Sequence, residues 1–205
     1  MNLTAVFEHW HLGDGNYRAF AVGDEVRLSF ELDLNHIEPA PKGAPESFER
    51  VRDADYAATA RVIRSYALNV ESTFPVFEAA GFRFYSPSAR ASGLVAGRMV
   101  RLRGRLALDH YQWVEFLERY PDPPDLFYNL RVARIRRIAI PAHFVRRSER
   151  GVVYPTSVRP KDYHEDSYRD VQRVAEGEGG PAFSLIDFEA LPAGAGPARP
   201  TFFSA

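Results

Sequence analysis

The chain predicts a mainly β fold built around a small antiparallel barrel, and three observations carry that prediction. Two stretches are written almost alike, Gly-Asp-Glu-Val-Arg-Leu-Ser-Phe-Glu-Leu-Asp-Leu from Gly23 and Gly-Arg-Met-Val-Arg-Leu-Arg-Gly-Arg-Leu-Ala-Leu from Gly97. Each alternates strictly after its glycine: Val26, Leu28, Phe30, Leu32 and Leu34 in the first, Val100, Leu102, Leu106 and Leu108 in the second. Side chains on a strand alternate between faces, so each copy has one apolar and one polar face. A one-sided apolar face of this kind belongs to an antiparallel sheet. Long irregular connections and few helical patterns complete the case.

The first element reads as a hairpin. Val6–Leu12 and Tyr17–Val22 flank Gly13-Asp14-Gly15-Asn16, and Asp-Gly is a strong two-residue turn signal. The register places His11 opposite Arg18 and His9 opposite Phe20. A turn at Gly23-Asp24 then leads into the first repeat strand. The proline-rich run 39–47 is a loop, because no strand or helix interior tolerates it. Phe48–Asp53 suggests a helical turn, Tyr56–Val70 a long strand and Phe82–Tyr85 a short one. Residues 87–92 read as loop, and the second repeat strand runs from about Leu94 to Leu108 with Tyr111–Leu117 pairing beside it. After the break at Pro121–Pro124 comes a strand from Phe127 to Ile140, whose alternation slips near Arg134 and implies a bulge. Asp166 or Ser167 caps one short C-terminal helix that ends at Gly177–Gly180, and Phe183–Phe188 is the last strand. The expected architecture is an OB-like or Greek-key barrel with irregular insertions. It forms one domain over 1–190, with duplicated halves at 1–85 and 86–160 as the alternative, and 191–205 is a flexible tail.

Composition excludes several chemistries. A chain of 205 residues without cysteine has no disulfides, thiolate metal sites or cysteine nucleophiles. Its N-terminus lacks a leader pattern and no run reaches the length of a membrane helix, so a soluble cytoplasmic protein is expected. The net charge of −1 conceals segregation: acidic residues dominate 1–60 and 161–190, basic ones 98–150. Arginine supplies all but two of the 26 basic side chains; it shares GC-rich codons with the abundant alanine, glycine and proline. Arginine count alone is therefore no argument for phosphate binding.

Three constellations offer chemistry. On a strand His9 and His11 share a face about 7 Å apart and suit a metal. Arg18 across from them repels a cation and suits an anion instead, and two histidines decorating a sheet face need no ligand at all. The second is the outward row Arg101, Arg103, Arg105, followed by Tyr111, Trp113, Phe127, Tyr128, Arg131 and Arg137, which has the composition of a basic groove with a stacking platform. The matching face of the first repeat reads Glu25, Arg27, Ser29, Glu31, Asp33, so neighbouring repeat strands would align opposite charges. The third, Asp162–Asp170 around His164, lacks any accompanying nucleophile motif. No phosphate loop, dinucleotide fingerprint or other complete catalytic signature occurs, and no cofactor is implied. The expected function is a non-catalytic binding module for a protein partner or an anionic ligand. The alternatives are a single-strand nucleic-acid binder and a metal- or anion-dependent enzyme using His9 and His11.

Overall fold

The computed structural model describes residues 2–13, 15–67, 73–87, 94–109, 112–117, 122–138, 145–147, 153–155, 168–174, 183–192, 194–197 and 201. The chain forms two compact units, one of Met1–Arg27 with Asn129–Ala205, the other Leu28–Tyr128.

In the first unit β1 (Asn2–Glu8) is followed by a single turn α1 (Trp10–Gly13), β2 (Phe20–Ala21) and β3 (Glu25–Leu28). The expected hairpin across Gly13–Asn16 does not form. Leu12 N–H instead bonds His9 C=O, and Asn16 and Tyr17 N–H bond His11 C=O, so the chain turns helically here. The cause is packing, since Phe7, His11, Tyr17 and Phe20 close on one another as a ring cluster. β1 pairs antiparallel with Phe183–Ala190, far along the chain, which no local pattern could announce.

Within β4 (Phe30–Pro39), β5 (Ser47–Arg52), β6 (Asp55–Ala67), β7 (Thr73–Ala79), β8 (Phe82–Tyr85) and β9 (Met99–Leu108) lies the second unit's sheet, followed by α2 (Gln112–Leu117). Five of these strands close a ring in the order β4-β9-β6-β7-β8 and back to β4. Antiparallel pairing alternates direction at every step, so a ring with an odd number of strands must contain a parallel contact. That contact is β4–β8, and it consists of one residue pair, Glu31 with Tyr85. The barrel is therefore mixed rather than antiparallel. Phe48–Arg52 belongs to strand β5 on the edge of β6 rather than to a helical turn, Asp53 lies in the turn between them, and Phe48 stacks on Tyr56.

The two repeat strands are neighbours, β4 antiparallel to β9. Leu28, Phe30, Leu32, Leu102 and Leu106 are buried. Across β4, β9 and β6 the inward face meets Phe77, Phe82 and Phe84. A second cluster covers the outside of the barrel at one end: Tyr66, Phe74, Val76 and Tyr85 from the strands, Trp113 from α2, and Leu126. Tyr111–Leu117 is not the expected strand: its described residues, from Gln112 on, form α2, seated by Trp113.

The first unit resumes with β10 (Tyr128–Ile138), β11 (Val145–Arg147), β12 (Val153–Pro155), β13 (Tyr168–Val171), β14 (Arg173–Val174) and β15 (Phe183–Ala190). The sheet runs β13-β10-β15-β1, with β3 also on β10, while β11 pairs β12 and β14 pairs β2. The expected bulge in β10 lies between Val132 and Arg134. The expected C-terminal helix is replaced over its described part by β13 and β14, because backbone pairing to β10 and β2 outweighs a weak helical pattern. Gly177–Gly180 and the 87–92 loop beyond Pro87 lie outside the described residues. In the expected tail, Leu191 N–H bonds Asn129 C=O and Thr201 bonds Arg27 through both its amide and its hydroxyl.

Candidate functional site: the arginine face of the barrel

Alternation on β9 sends Val100, Leu102 and Leu106 inward and Arg101, Arg103 and Arg105 outward. Pairing then builds three rows across the sheet. Asp33, Arg105 and Asp55 form one, His36, Arg103, Ala57 and Glu49 the next, and Glu38, Arg101, Thr59 and Ser47 the third. Of the first repeat's polar face only Asp33 stands opposite an arginine of the second, Arg105; Glu31 pairs with Ala107, and His36 and Glu38 lie beyond the repeat.

His36 and Glu38 reach this face only because β4 carries a bulge between Leu34 and His36. Without it, strict alternation from Leu32 and Leu34 would turn both inward and leave Ile37 outside.

The rows differ in how their charges are used. Arg105 Nε lies 3.5 Å from Asp55, and Arg101 Nη1 lies 4.0 Å from Glu38, which also takes His36 Nε2 at 3.4 Å. The Arg103 side chain is exposed and, among the described residues, has neither an ion pair nor a hydrogen-bond partner. Beside it Ala57 contributes only a methyl group, so the surface dips. The resulting open cleft of about 490 Å³ is lined by Asn35, His36, Ser47, Glu49, Thr59 and Arg103, among others.

The remaining sequence-derived candidates lie elsewhere. Trp113 is fully buried and presents no stacking face. Tyr128 is half-buried against Phe30 and Phe82, its hydroxyl accepting from Arg83 N–H at 2.5 Å, and burial pushes its pKa up to about 12. Tyr111 lies outside the described residues, as do Asp162–Ser167. Arg131 is in the first unit, 3.4 Å from Glu25. Arg18 is exposed, while His11 is buried beneath Trp10 with ring centroids 3.7 Å apart, and His9 Nε2 meets Ser184 Oγ at 2.9 Å. The two histidines therefore do not share a strand face with Arg18 opposite. Among the described residues no three His, Cys, Asp or Glu side chains gather as a metal site.

One polar cluster escaped the sequence. Glu31 and Asp109 are both buried, on the barrel wall that α2 covers, with Tyr85 between them. The Tyr85 hydroxyl lies 2.8 Å from Glu31 Oε2 and makes a short contact to Asp109 Oδ1. Asp109 also accepts from Ser29 Oγ at 3.0 Å and from Trp113 N–H at 3.1 Å. Burial pushes Asp109 up to about 6; its donors oppose the rise and repulsion from Glu31 adds to it. Burial, with both carboxylates beside it, raises Tyr85 well above the ordinary phenol value. The polar phase of the first repeat gave no sign that its Ser29–Glu31 end would be covered.

Compared with models of protein families, with curated proteins and with solved structures, the chain finds no match.

Proposed function

We propose that the protein is a non-catalytic binding module whose barrel receives an acidic segment of a partner protein, with Arg103 as the anchor. The single observation that carries this is the unequal use of the three arginines: two are committed to carboxylates and the central one, above a dip floored by Ala57, is not. An unpaired guanidinium at a concave, hydroxyl-lined surface offers bidentate recognition of a carboxylate. Glu38 and Glu49, also in the cleft lining, limit the acidic segment to a carboxylate placed on Arg103 and repel the continuous phosphate backbone of a nucleic acid.

An OB-like identity for the barrel is part of this reading. A three-strand meander, β6-β7-β8, runs parallel into β4, and β9 joins β4 back to β6. This supports an OB-type ring in which the strand usually last in the chain comes first.

The test is fluorescence anisotropy of labelled acidic peptides and of a labelled single-stranded oligonucleotide against the protein and Arg103→Ala. The proposal expects peptide affinity to fall about tenfold or more in the variant, on the scale of one charge-assisted contact. Equal affinity for both proteins removes Arg103 as the anchor. Tighter oligonucleotide binding with a steep salt dependence would favour the nucleic-acid alternative.

A further inference from the structure

The one pair that closes the barrel, Glu31 on β4 with Tyr85 on β8, is also where its buried acids meet. Proton counting there is restrictive. A tyrosine hydroxyl carries one hydrogen, and an ionised carboxylate can only accept. Yet the Tyr85 oxygen stands within hydrogen-bond distance of Glu31 and of Asp109. Tyr85 donates to one; a full bond to the other requires that carboxyl to be protonated and to donate to the phenol oxygen. The same Asp109 receives the Trp113 amide, so the cluster ties α2 to the seam.

We infer that Glu31, Tyr85 and Asp109 form a proton-dependent clasp: one proton held across the two carboxyls closes the β4–β8 seam and keeps α2 seated, and its loss loosens both. This goes beyond the binding face, which lies on other residues.

The charged or titratable groups on the surrounding elements are Asp33, His36 and Glu38 on β4, Asp55, Arg61 and Arg64 on β6, Glu78 on β7, Arg83 on β8, Arg101, Arg103 and Arg105 on β9, Glu115 on α2, and Asp122 and Asp125 before β10; none is fully buried. Arg64 lies over the Tyr66 ring at 5.1 Å and donates to Asp122 C=O, while Glu78 is held by Arg61 and Arg83. Burial, the largest influence on Asp109, supports proton retention up to about pH 6.

The sign follows. The folded state binds the proton more tightly than the unfolded one, so stability is fully present below the unfolded pKa and is lost as pH rises through the folded value. With Asp109 moved from 3.8 to about 6, the unfolding constant should rise about tenfold between pH 5 and 7.5. Urea unfolding at both pH values, on the full chain and on Asp109→Asn and Glu31→Gln, measures this. In a Trp10→Phe background, Trp113 emission should also change with a midpoint near 6. Both variants should flatten the pH slope. An equal slope in all three proteins overturns the clasp. Should the variants not fold, infrared difference spectroscopy of the unmutated protein decides. Loss of a protonated-carboxyl band across that interval supports the clasp, and no such band at pH 5 overturns it.

Discussion

Replacing Gly104 with alanine tests the packing of the two repeat strands with a single methyl group. Gly104 stands on the inward phase of β9, opposite Leu34 on β4 and Tyr56 on β6, where the first repeat has phenylalanine. A Cβ built there would sit 2.5 Å from the Asp33 carbonyl oxygen, 3.0 Å from Leu32 Cγ and 3.1 Å from the Asp33 carbonyl carbon. Carbon–oxygen contacts in sheets run at about 3.3–3.6 Å, so the overlap is roughly 0.8 Å or more. Leu32 can rotate away, but the Asp33 carbonyl is backbone beside the β4 bulge and moves only if the strands separate. Overpacking of this kind costs about 1–3 kcal/mol. Removing a glycine from a strand returns about 0.5–1 kcal/mol through the unfolded chain. The net expectation is a loss of about 1–2 kcal/mol, a Tm lower by roughly 2–8 °C at this chain length. Urea unfolding followed by circular dichroism would measure it, with Arg103→Ala as an outward control on the same strand, expected within about 0.5 kcal/mol. A Gly104→Ala midpoint equal to or above that of the unmutated protein would refute the claim that backbone proximity, rather than chance, put glycine there.

Other expectations follow from the same packing. Leu102→Ala, emptying a fully buried site on β9, should cost about 2–5 kcal/mol in the same unfolding assay. Arg83 lowers the pKa of Glu78 chiefly by its hydrogen bond, with Arg61 adding to it. That contribution is present above the unfolded value of 4.5 and is lost as pH falls through the lower folded one. Arg83→Gln should therefore flatten the acid limb of a stability–pH profile below about pH 4.5, which unfolding at pH 3.5 and 5.5 would show.

Alternation over long runs was legible because burial on one face leaves a period of two that no other structure shares. Hence β4, β6, β9, β10 and β15 follow the sequence closely, and the leucines of both repeats point inward with the arginines outward. Short segments were not legible. Trp10–Gly13, Phe48–Arg52, Gln112–Leu117 and Tyr168–Val174 span too few residues to show a period, and distant partners decide them. Gln112–Leu117 matters most, because covering the barrel wall with α2 turns Ser29 and Glu31 from surface decoration into a buried cluster with Asp109. Of the candidate residues, Arg101, Arg103 and Arg105 stayed together. The aromatic platform did not, since Trp113 alone fills a core better than it serves a groove.

The β4 bulge was legible in principle and decides the binding face. In β10 the apolar phase passes from Leu130 and Val132 to Ile135, and that slip marked a bulge. The same slip occurs in β4, where Leu32 and Leu34 give way to Ile37. Asn35 is the surplus residue, and its presence lets Ile37 remain inward while His36 and Glu38 join Arg103 and Arg101 outside. Two deletions of equal length should then behave differently. Removing Asn35 preserves the phase on both sides and leaves a regular strand, so the protein should fold and keep the arginine face. Removing Asp33 lets the strand recover its register only by placing Leu34 outside and Asn35 inside, opposite Gly104. That exchange forfeits part of a leucine's burial, up to about 1.5–3 kcal/mol, and puts an amide without a partner into the interior for about 1–3 more. Urea midpoints should separate the deletions by at least about 2 kcal/mol, with the Asn35 deletion the more stable. Equal midpoints, or the reverse order, would mean that the bulge does not set which residues of β4 face the cleft.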